Sequence, residues 1–541
     1  MSQLPYWCDE KASIPRVLTD QAQRLGAKPY FRFQGAATSL TYESLVADAS
    51  AIGGELERRG CQSGEMAALF LPNGIEFVQA WFASLFAGMA DAPINAEFRK
   101  SYLQFALNTT QPKVMFTDAA GLLALQDDEV IAYLPKLRLI VCTDGARLPD
   151  TFDTRALPMP PVVDMRELLS SDARARAWET INPAMLASVR YTSGTTGPAK
   201  GAMQSHLHIL NKSREHLQVM EMVQDDVVYS PFPLHHNLAS INGMIGTLQA
   251  GATFHSALRF SASAFWKEAH AAGATLGHIL TPLIPTLLAQ PPADTDRQHA
   301  LRYLWMGWPH AQFEERFKTR LVQVYALGEV GVISYRRGGR TDNATGEPIP
   351  AMEVRIVDEL DRPLPPATSG EITVRPRMPH RLMLGYMNNL PATLRAFRNL
   401  WFHTGDQGQI AADGQLHFEG RIGDTIRRRG VNISSEQIEN ELLRCPQVLD
   451  CAVFGVPSPL GEEDIHACVV WNETNPLQAD ASVHQLIAFL QERLPKSYLP
   501  RYIEPAPMLP KTNTGKVRKG ELRERRLHGR RFDREANTWI G

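Results

Sequence analysis

A run of hydroxyl, glycine and lysine residues is the part of this sequence best suited to binding phosphate. Residues 191–201 read Tyr-Thr-Ser-Gly-Thr-Thr-Gly-Pro-Ala-Lys-Gly, and the mostly apolar residues 185–189 precede them like a buried strand. Glycine lets the backbone N–H groups approach a ligand closely, and hydroxyls with one lysine complete an anion site. A flexible linker rarely places Tyr, Pro and Lys between apolar runs. The run therefore predicts a phosphate-binding loop.

The end of this loop separates it from two common nucleotide-binding motifs. A Walker loop ends in Gly-Lys-Ser/Thr, whereas Lys200 is followed by Gly201 and preceded by Pro198-Ala199. The G-x-G-x-x-G fingerprint of dinucleotide-binding proteins is also missing from this position. A different class of phosphate site is therefore expected.

Five other side chains could take part in chemistry, and all but one of them follow apolar or aromatic residues. His235 and His236 end the segment Pro-Phe-Pro-Leu-His-His, and Glu329 ends Val-Tyr-Ala-Leu-Gly-Glu. A carboxylate there suits Mg²⁺, which needs few protein ligands when phosphates are present. Asp406 follows Trp-Phe-His-Thr-Gly, where it could bind a ribose diol, and Lys516 ends Pro-Lys-Thr-Asn-Thr-Gly-Lys. Each signal alone is weak, because a single His is more often structural and a single Glu more often a surface charge.

Composition excludes several classes of protein. A chain of 541 residues predicts two or more domains, and a net charge of −2 argues against nucleic acid as a partner. The six cysteines form no C-x-x-C pair, which predicts reduced thiols in a cytoplasmic protein. No signal peptide is recognisable at the N-terminus, and polar residues interrupt the most apolar segment, 77–93, so no integral membrane contact is expected.

Strand and helix patterns alternate through most of the chain. Helices are predicted within 41–60 and 75–87, and strands at 66–71, 113–117 and 137–142. The alternation resumes over 226–271, and short β runs such as 353–357 and 371–375 follow. The predicted fold class is α/β: a large N-terminal domain of parallel α/β sheets with a small β subdomain, then a small, mobile α+β C-terminal domain. A hairpin turn at Asp413-Gly414 precedes the predicted boundary, which separates domains 1–420 and 421–541 with a hinge near 420–425.

Together these motifs resemble the adenylate-forming superfamily, which includes acyl-CoA synthetases, aryl-CoA ligases, peptide-synthetase adenylation domains and firefly luciferase. Residues 191–201 resemble its signature loop, [YF]-T-S-G-[ST]-T-G-x-P-K-G. The resemblance extends from about residue 30 to residue 525 and keeps the family's order of motifs. The other matching positions are His236 in P-L-x-H, Gly307 near G-A-P, Tyr325 to Glu329 in Y-G-x-T-E, Gly385-Tyr386, Trp401 to Asp406 in W-[FL]-x-T-G-D, Arg421 with Asp424 in G-R-x-x-D, Gly430 to Glu436, and Lys516 in P-K-T-x-x-G-K.

The resemblance implies an AMP-forming acid–thiol ligase that uses ATP, Mg²⁺ and, as co-substrate, coenzyme A. Lys516, Glu329, His236 and Lys200 would be catalytic, with Glu329 as metal ligand, and His236 and Trp308 would border the acyl pocket. Gly423 and Asp424 would form the hinge, and Arg428 and Gly430 would bind coenzyme A. The residues implied to bind ATP are Thr192, Ser193, Gly194, Thr195, Thr196, Gly197, Lys200, Gly307, Tyr325, Asp406, Arg421 and Lys516.

This sequence departs from the family pattern at a few positions. Gly328 replaces a threonine, Ala326 replaces a glycine, and Gly423 stands where Asp or Lys is usual. Trp308 replaces a small residue, which predicts a short or compact acid. The stretch from Arg427 to Ser435 resembles the carnitine-CoA-ligase-like branch of the family, a further indication of a polar or short acid.

Two alternatives to a coenzyme A ligase remain open. One is a stand-alone adenylation enzyme that loads the phosphopantetheine of a separate carrier protein, since this chain has no G-x-D-S-L carrier motif. The other is a degenerate nucleotide-binding regulator, which the changes at Ala326 and Gly328 would permit.

Overall fold

The structure is a computed structural model. It describes residues 12–125, 130, 136–145, 160–192, 200–306, 308–338, 344–422, 425–428, 431–458, 463–472, 479–494, 496–511, 517–524 and 529–540.

The strands of the described residues are numbered in chain order. They are β1 Pro29–Phe33, β2 Leu40–Thr41, β3 Met66–Phe70, β4 Ala90–Pro93, β5 Val114–Thr117, β6 Leu139–Cys142, β7 Val162–Asp164, β8 Leu186–Thr192, β9 Lys200–Ser205, β10 Val227–Ser230, β11 Thr253–Ser256, β12 Leu276–His278, β13 Tyr303–Trp305, β14 Arg320–Leu327, β15 Gly331–Arg337, β16 Ala344–Gly346, β17 Met352–Val357, β18 Gly370–Pro376, β19 Gly385–Tyr386, β20 Phe402–Ile410, β21 Leu416–Arg421, β22 Thr425–Arg428, β23 Val431–Ser434, β24 Val448–Pro457, β25 Glu463–Trp471, β26 Tyr502–Pro505, β27 Arg531–Asp533 and β28 Thr538–Ile540.

The α-helices alternate with these strands in the first two-thirds of the chain. They are Ile14–Leu25, Tyr42–Arg58, Ile75–Phe86, Lys100–Thr110, Ala119–Ala124, Met165–Leu169, His206–Val219, Gly246–Ala250, Phe265–Ala271, Ile284–Leu288, Ala311–Phe317, Leu390–Ala396, Ser435–Leu443, Ala479–Gln491 and Lys519–Glu524. A π-helix, Leu238–Ile245, leads directly into helix Gly246–Ala250.

Two eight-stranded sheets form the large N-terminal part. The first has the order β15-β14-β13-β12-β10-β11-β1-β2 and the second the order β19-β9-β8-β4-β3-β5-β6-β7. Their inner strands pair in parallel, and antiparallel pairs occur towards the ends of each sheet. Strand β3 is buried along its whole length, as expected where helices cover both faces of a parallel sheet. The predicted α/β fold class is confirmed.

Two helices lie between the sheets and join them into one core. Helix Ile75–Phe86 contacts β3 and β4 of the second sheet and β1 of the first, and its Phe82 packs edge-on against Tyr30. Helix His206–Val219 contacts β8 and β9 on one side and β15 on the other. The loops after the strands of both sheets can therefore meet at one cleft.

A five-stranded antiparallel sheet follows the large sheets, in the order β16-β21-β20-β18-β17. Strands β20 and β21 form the hairpin expected at Asp413-Gly414, and β21 ends at Arg421. The chain beyond it forms a β22-β23 ribbon and a second five-stranded sheet, β24-β25-β26-β27-β28, with a separate apolar core. Among the helices that the structure describes, none is long and apolar enough to cross a membrane.

Candidate active site

The phosphate-binding loop predicted from the sequence connects two paired strands. Thr192 is the last residue of β8, Lys200 is the first residue of β9, and the antiparallel register places them opposite each other. The loop between them, which contains Ser193, Gly194, Thr195, Thr196 and Gly197, lies outside the described residues. Its two ends are thus held side by side at the edge of the second sheet.

Lys200 lies beside an aromatic ring that carries a carboxylate partner. Strand β19 pairs with β9, which brings Tyr386 within reach, and the Lys200 Nζ is 5.0 Å from the centre of its ring. The Tyr386 hydroxyl donates to Glu329 Oε1 at 3.0 Å. Burial, reinforced by Glu329, raises the pKa of this phenol, so it remains a hydrogen-bond donor at neutral pH. The pairing fixes where Glu329 presents its carboxylate.

Glu329 follows the irregular end of strand β14. Strands β14 and β15 pair antiparallel with a shift in register between Tyr325 and Ala326, and Glu329 lies in the turn that joins them. The carbonyl of Gly328 accepts hydrogen bonds from Lys212 Nζ at 2.7 Å and Gln204 Nε2 at 3.1 Å. Gly328 has no hydroxyl, unlike the threonine usual in the family. Its carbonyl is nevertheless held by hydrogen bonds from helix His206–Val219 and strand β9. This role of Lys212 could not be predicted from the sequence, because Lys212 lies within a helix and outside every recognised motif.

A second set of contacts joins three of the predicted ATP-binding residues. The Tyr325 hydroxyl donates to Asp406 Oδ2 at 2.6 Å, and Arg421 Nε lies 2.9 Å from Asp406 Oδ1. Arg421 also donates to the carbonyl of Thr404 at 2.8 Å. Asp406 and Arg421 are direct partners across the β20–β21 hairpin. Asp406 is 1% exposed, and its contact with a ribose stays a prediction.

One large cavity brings together four of the predicted side chains. It has a volume of about 1740 Å³. The sequence-predicted residues that line it are Lys200, His236, Glu329 and Arg421. Asp406 and Tyr325 are not among the lining residues, although Gly405 and Gln407, the neighbours of Asp406, are. Arg518 from the C-terminal region borders the same cavity.

Both predicted histidines, His235 and His236, line this cavity. The Nδ1 of His236 accepts the Leu238 backbone N–H at 3.4 Å, and Ser240 Oγ donates to the His236 carbonyl at 2.9 Å. Burial, assisted by His236 and Arg190, lowers the pKa of His235 to about 3, so His235 is neutral at pH 7. His235 therefore offers hydrogen bonding without charge.

A different tryptophan from the expected one lines the cavity. Trp305, at the end of β13, is 1% exposed, lines the cavity wall and packs against the ring of His216 at 4.5 Å. Trp308 is absent from the described lining, and its backbone N–H donates to Thr281 Oγ1 at 3.2 Å. The burial of Trp305 could be anticipated from its strand, but its position at the cavity required the tertiary structure.

Arg428 is buried and belongs to a network of ion pairs and hydrogen bonds. Binding of coenzyme A would require this side chain to be exposed. It is 3% exposed, lies 3.3 Å from Asp464 and 2.8 Å from Glu535, and donates to the carbonyls of Ser497 and Leu499. All of these partners lie in the C-terminal region, and they bind the guanidinium group of Arg428 there. The structure therefore argues for a structural role and against the expected contact with coenzyme A.

Several predicted residues cannot be placed. Beyond the loop named above, the residues outside the described ranges are Gly307, Gly423, Asp424, Gly430 and Lys516. Their roles stay predictions.

The residues around Glu329 fit a magnesium ion that binds together with phosphates. The site offers one carboxylate, next to the lysine that closes the phosphate-binding loop. Carboxylate oxygen is a preferred ligand of Mg²⁺, and one protein carboxylate suffices where phosphates supply the others.

Two family profiles match the chain. Residues 18–387 match "AMP-binding enzyme" and residues 437–516 match "AMP-binding enzyme C-terminal domain". A crotonobetaine/carnitine–CoA ligase of Salmonella paratyphi A is 29% identical over 539 residues, covering 94% of this chain and 99% of the relative. The enzyme of that name from Escherichia coli O139:H28 is 30% identical over 477 residues, covering 86% of this chain and 89% of the relative.

Solved structures share the fold. The anthranilate CoA ligase AuaEII in complex with anthranoyl-AMP superposes with a TM-score of 0.83 at 20% identity, covering 95% of this chain and 97% of that one. ATP-bound MatB from Rhodopseudomonas palustris superposes with a TM-score of 0.80 at 24% identity, covering 94% and 98%. At these identities the likeness concerns the fold.

Proposed function

Because the chain belongs to the AMP-binding enzyme family, as an acyl-CoA synthetase that uses ATP and coenzyme A, we propose that it activates a short or compact polar carboxylic acid. The observation that carries this proposal is that Lys200, Glu329, Arg421 and His236 line the same cavity. Residues from both large sheets and the β subdomain converge there, which is the arrangement needed to hold a nucleotide and an acid together.

In the first half-reaction, a carboxylate oxygen of the acid attacks the α-phosphorus of ATP. A new P–O bond forms, the bond to pyrophosphate breaks, and acyl-adenylate remains. We assign Thr192, Lys200 and the loop between them to the β- and γ-phosphates, and Asp406 with Arg421 to the ribose. Lys516 is assigned to the α-phosphate, where it would neutralise charge that develops in the transition state.

Glu329 is the residue we assign to the magnesium ion, which supplies charge neutralisation at the phosphates when bound. The hydrogen bond from Tyr386 supports this assignment, since it orients the carboxylate before any ligand arrives. No step requires a nucleophile from the protein, because the acid and the thiol supply both attacking atoms.

In the second half-reaction, the thiol of coenzyme A attacks the acyl carbon. A C–S bond forms, AMP leaves, and the thiol proton is released. Transfer to a separate carrier protein uses the same chemistry with the same phosphopantetheine thiol, so it remains the alternative acceptor.

Two observations support a compact, polar acid. Trp305 lines the cavity, and so do the polar residues His235, Asn237 and Asn242. The relatives named for crotonobetaine and carnitine also act on short, polar acids, and we extend that class, without its particular members, to this chain.

We further propose that the chain divides into domains at 420–421, with a hinge at 420–425. Strand β21 ends at Arg421 and the next strand begins at Thr425, which supports a joint between them. A cytoplasmic location remains a prediction from the unpaired pattern of the six cysteines.

The decisive experiment is ATP–pyrophosphate exchange with a panel of carboxylic acids, followed by a coenzyme A consumption assay. Exchange together with thioester formation supports the ligase. Exchange without use of coenzyme A indicates a carrier-loading enzyme, and ATP binding without exchange for any acid indicates a regulator.

A further inference from the structure

The wall of the cavity contains an arginine whose donors are incompletely used. Arg190 lies on β8, is 1% exposed and lines the cavity. Its Nη1 donates to Ser240 Oγ at 3.3 Å. Among the residues that the structure describes, its Nε and Nη2 make no hydrogen bond. An arginine carries five N–H donors, and leaving them without acceptors in a buried site is costly.

The nearest carboxylate does not satisfy this arginine. Asp91 Oδ1 lies 3.2 Å from Arg190 Nη2, which makes an ion pair. The two oxygens of Asp91 already accept from Ser188 Oγ at 2.8 Å and Trp81 Nε1 at 2.9 Å. Asp91 therefore balances the charge of Arg190, but it accepts no hydrogen bond from the Nε or Nη2 of this arginine.

A second buried cation lines the same cavity. Lys212 is 2% exposed, and its Nζ donates to the Gly328 carbonyl at 2.7 Å. An ammonium group has three donors, so one carbonyl does not exhaust it. Arg190 and Lys212 thus place two buried cationic side chains in the lining of one cavity.

The other polar groups on this wall are neutral. His235, Asn237 and Asn242 line the cavity beside Arg190, and His235 is uncharged at pH 7 for the reason given above. Glu329 also lines the cavity, and its carboxylate accepts a hydrogen bond from the Tyr386 hydroxyl. The wall thus presents donors and positive charge, and the occupant must supply the acceptors.

We propose that the acid pocket binds a substrate with a second carboxylate, and that Arg190, supported by Lys212, holds this distal group. This inference rests on the proposed acid-activating function and specifies its substrate class as dicarboxylic acids. Arginine suits this task because its planar donors match the two oxygens of a carboxylate. A substrate with a distal quaternary ammonium group would meet a like charge and be rejected.

The first test compares acids of matched length in the exchange assay: succinate with butyrate, glutarate with pentanoate, and both with 4-(trimethylammonio)butyrate. We expect the better dicarboxylate to exceed its monocarboxylate by about 100-fold in kcat/KM, since sites built for hydrogen bonding discriminate strongly. Equal or better use of the monocarboxylates or of the cationic acid overturns the inference and leaves the proposed function standing.

The second test uses Arg190→Gln together with Asp91→Asn, because removing Arg190 alone would leave Asp91 buried and unpaired. The ratio of dicarboxylate to monocarboxylate kcat/KM should fall at least 10-fold in the double variant. Arg355→Gln, at a surface arginine of β17 outside the cavity lining, should keep the ratio. An unchanged ratio in a double variant with a normal unfolding temperature overturns the inference.

If no acid supports exchange, the proposed function fails, and direct binding then decides the inference separately. Isothermal titration of glutarate and pentanoate into the wild-type protein is the measurement. Binding of glutarate that is lost in the double variant supports the anionic subsite. No preference for glutarate over pentanoate refutes it.

Discussion

The Tyr325 hydroxyl donates to Asp406 Oδ2 at 2.6 Å while Arg421 Nε faces Oδ1 of the same carboxylate at 2.9 Å. Tyr325 lies in β14 of the first large sheet, whereas Asp406 and Arg421 belong to the β subdomain. The contact therefore joins two separately built parts of the molecule. It also orients a buried carboxylate before any nucleotide binds.

This relationship predicts that Asp406 contributes to ATP affinity. Asp406→Asn should raise the KM for ATP by about 10–100-fold, because hydrogen bonds to a charged acceptor are worth about 1.5–3 kcal/mol. The measurement is exchange rate against ATP concentration. Asp413→Asn, in the exposed hairpin turn, is the matched control and should leave the KM unchanged. A normal KM in Asp406→Asn would exclude the assigned contact with the ribose.

Trp305 is predicted to limit the size of the acid. Trp305→Leu should extend the accepted chain length, since one methylene in a tight pocket is worth about 1–3 kcal/mol of discrimination. The measurement is kcat/KM across a homologous series of acids. Trp308→Leu is the paired variant, and its expected effect is smaller because Trp308 is outside the described lining. A broader series for Trp308→Leu alone would restore the original assignment from the sequence.

Burial of Lys212 should make the free energy of unfolding depend on pH. Its pKa falls from an ordinary 10.5 to about 7 on folding because the charged form is desolvated. Between pH 7 and pH 10.5 the unfolded chain binds the proton and the folded chain does not, so this group's contribution to stability rises with pH over that window. Below pH 7 the full penalty of the buried charge is present.

The variant Lys212→Met removes that penalty. Its gain in unfolding free energy should be larger at pH 7 than at pH 9 by about 2 kcal/mol, because one pKa unit corresponds to 1.36 kcal/mol. Denaturant unfolding at both values measures it. Lys267→Met, at an exposed lysine, should show no such difference. A gain independent of pH would show that Lys212 stays charged in the folded protein.

Lys516 is predicted to serve only the first half-reaction. Lys516→Ala should abolish formation of acyl-adenylate yet leave thioester formation from supplied acyl-adenylate largely intact. Single-turnover measurement of each half-reaction tests it, with Lys511→Ala, which removes the partner of Asp450, as control. Gly423→Pro should impair the second step instead, because proline fixes φ near −65° and would hold the hinge in one pose. Equal loss of both steps in both variants would refute a rotating C-terminal domain.

A variant of Arg428 can distinguish a structural role of this residue from a role in binding coenzyme A. Arg428→Ala should destabilise the C-terminal domain by about 3–5 kcal/mol, since it leaves the buried Asp464 without one of its partners. The KM for coenzyme A, measured on the folded fraction, should change little. Arg444→Ala, which removes a surface pair with Glu441, should affect neither quantity. A raised KM with normal stability would instead support the contact with coenzyme A.

The sequence alone determined the family resemblance, the α/β class and the location of the phosphate-binding loop. It could do so because these features are local. Alternating strands and helices follow from the periodicity of apolar residues, and a loop rich in glycine and hydroxyl residues can be recognised as a phosphate site within about ten residues. The hairpin at Asp413-Gly414 and helix Ile75–Phe86 were predictable for the same reason.

The tertiary structure alone decided which side chains form the wall of the acid cavity. Arg190 and Asp91 are 99 positions apart in the chain, Lys212 meets Gly328 across helix and strand, and Trp305 rather than Trp308 lies at the cavity. The sequence likewise predicted that Arg428 binds coenzyme A, whereas in the structure it forms ion pairs with Asp464 and Glu535. Such contacts depend on how sheets and helices pack, which no short window of residues encodes.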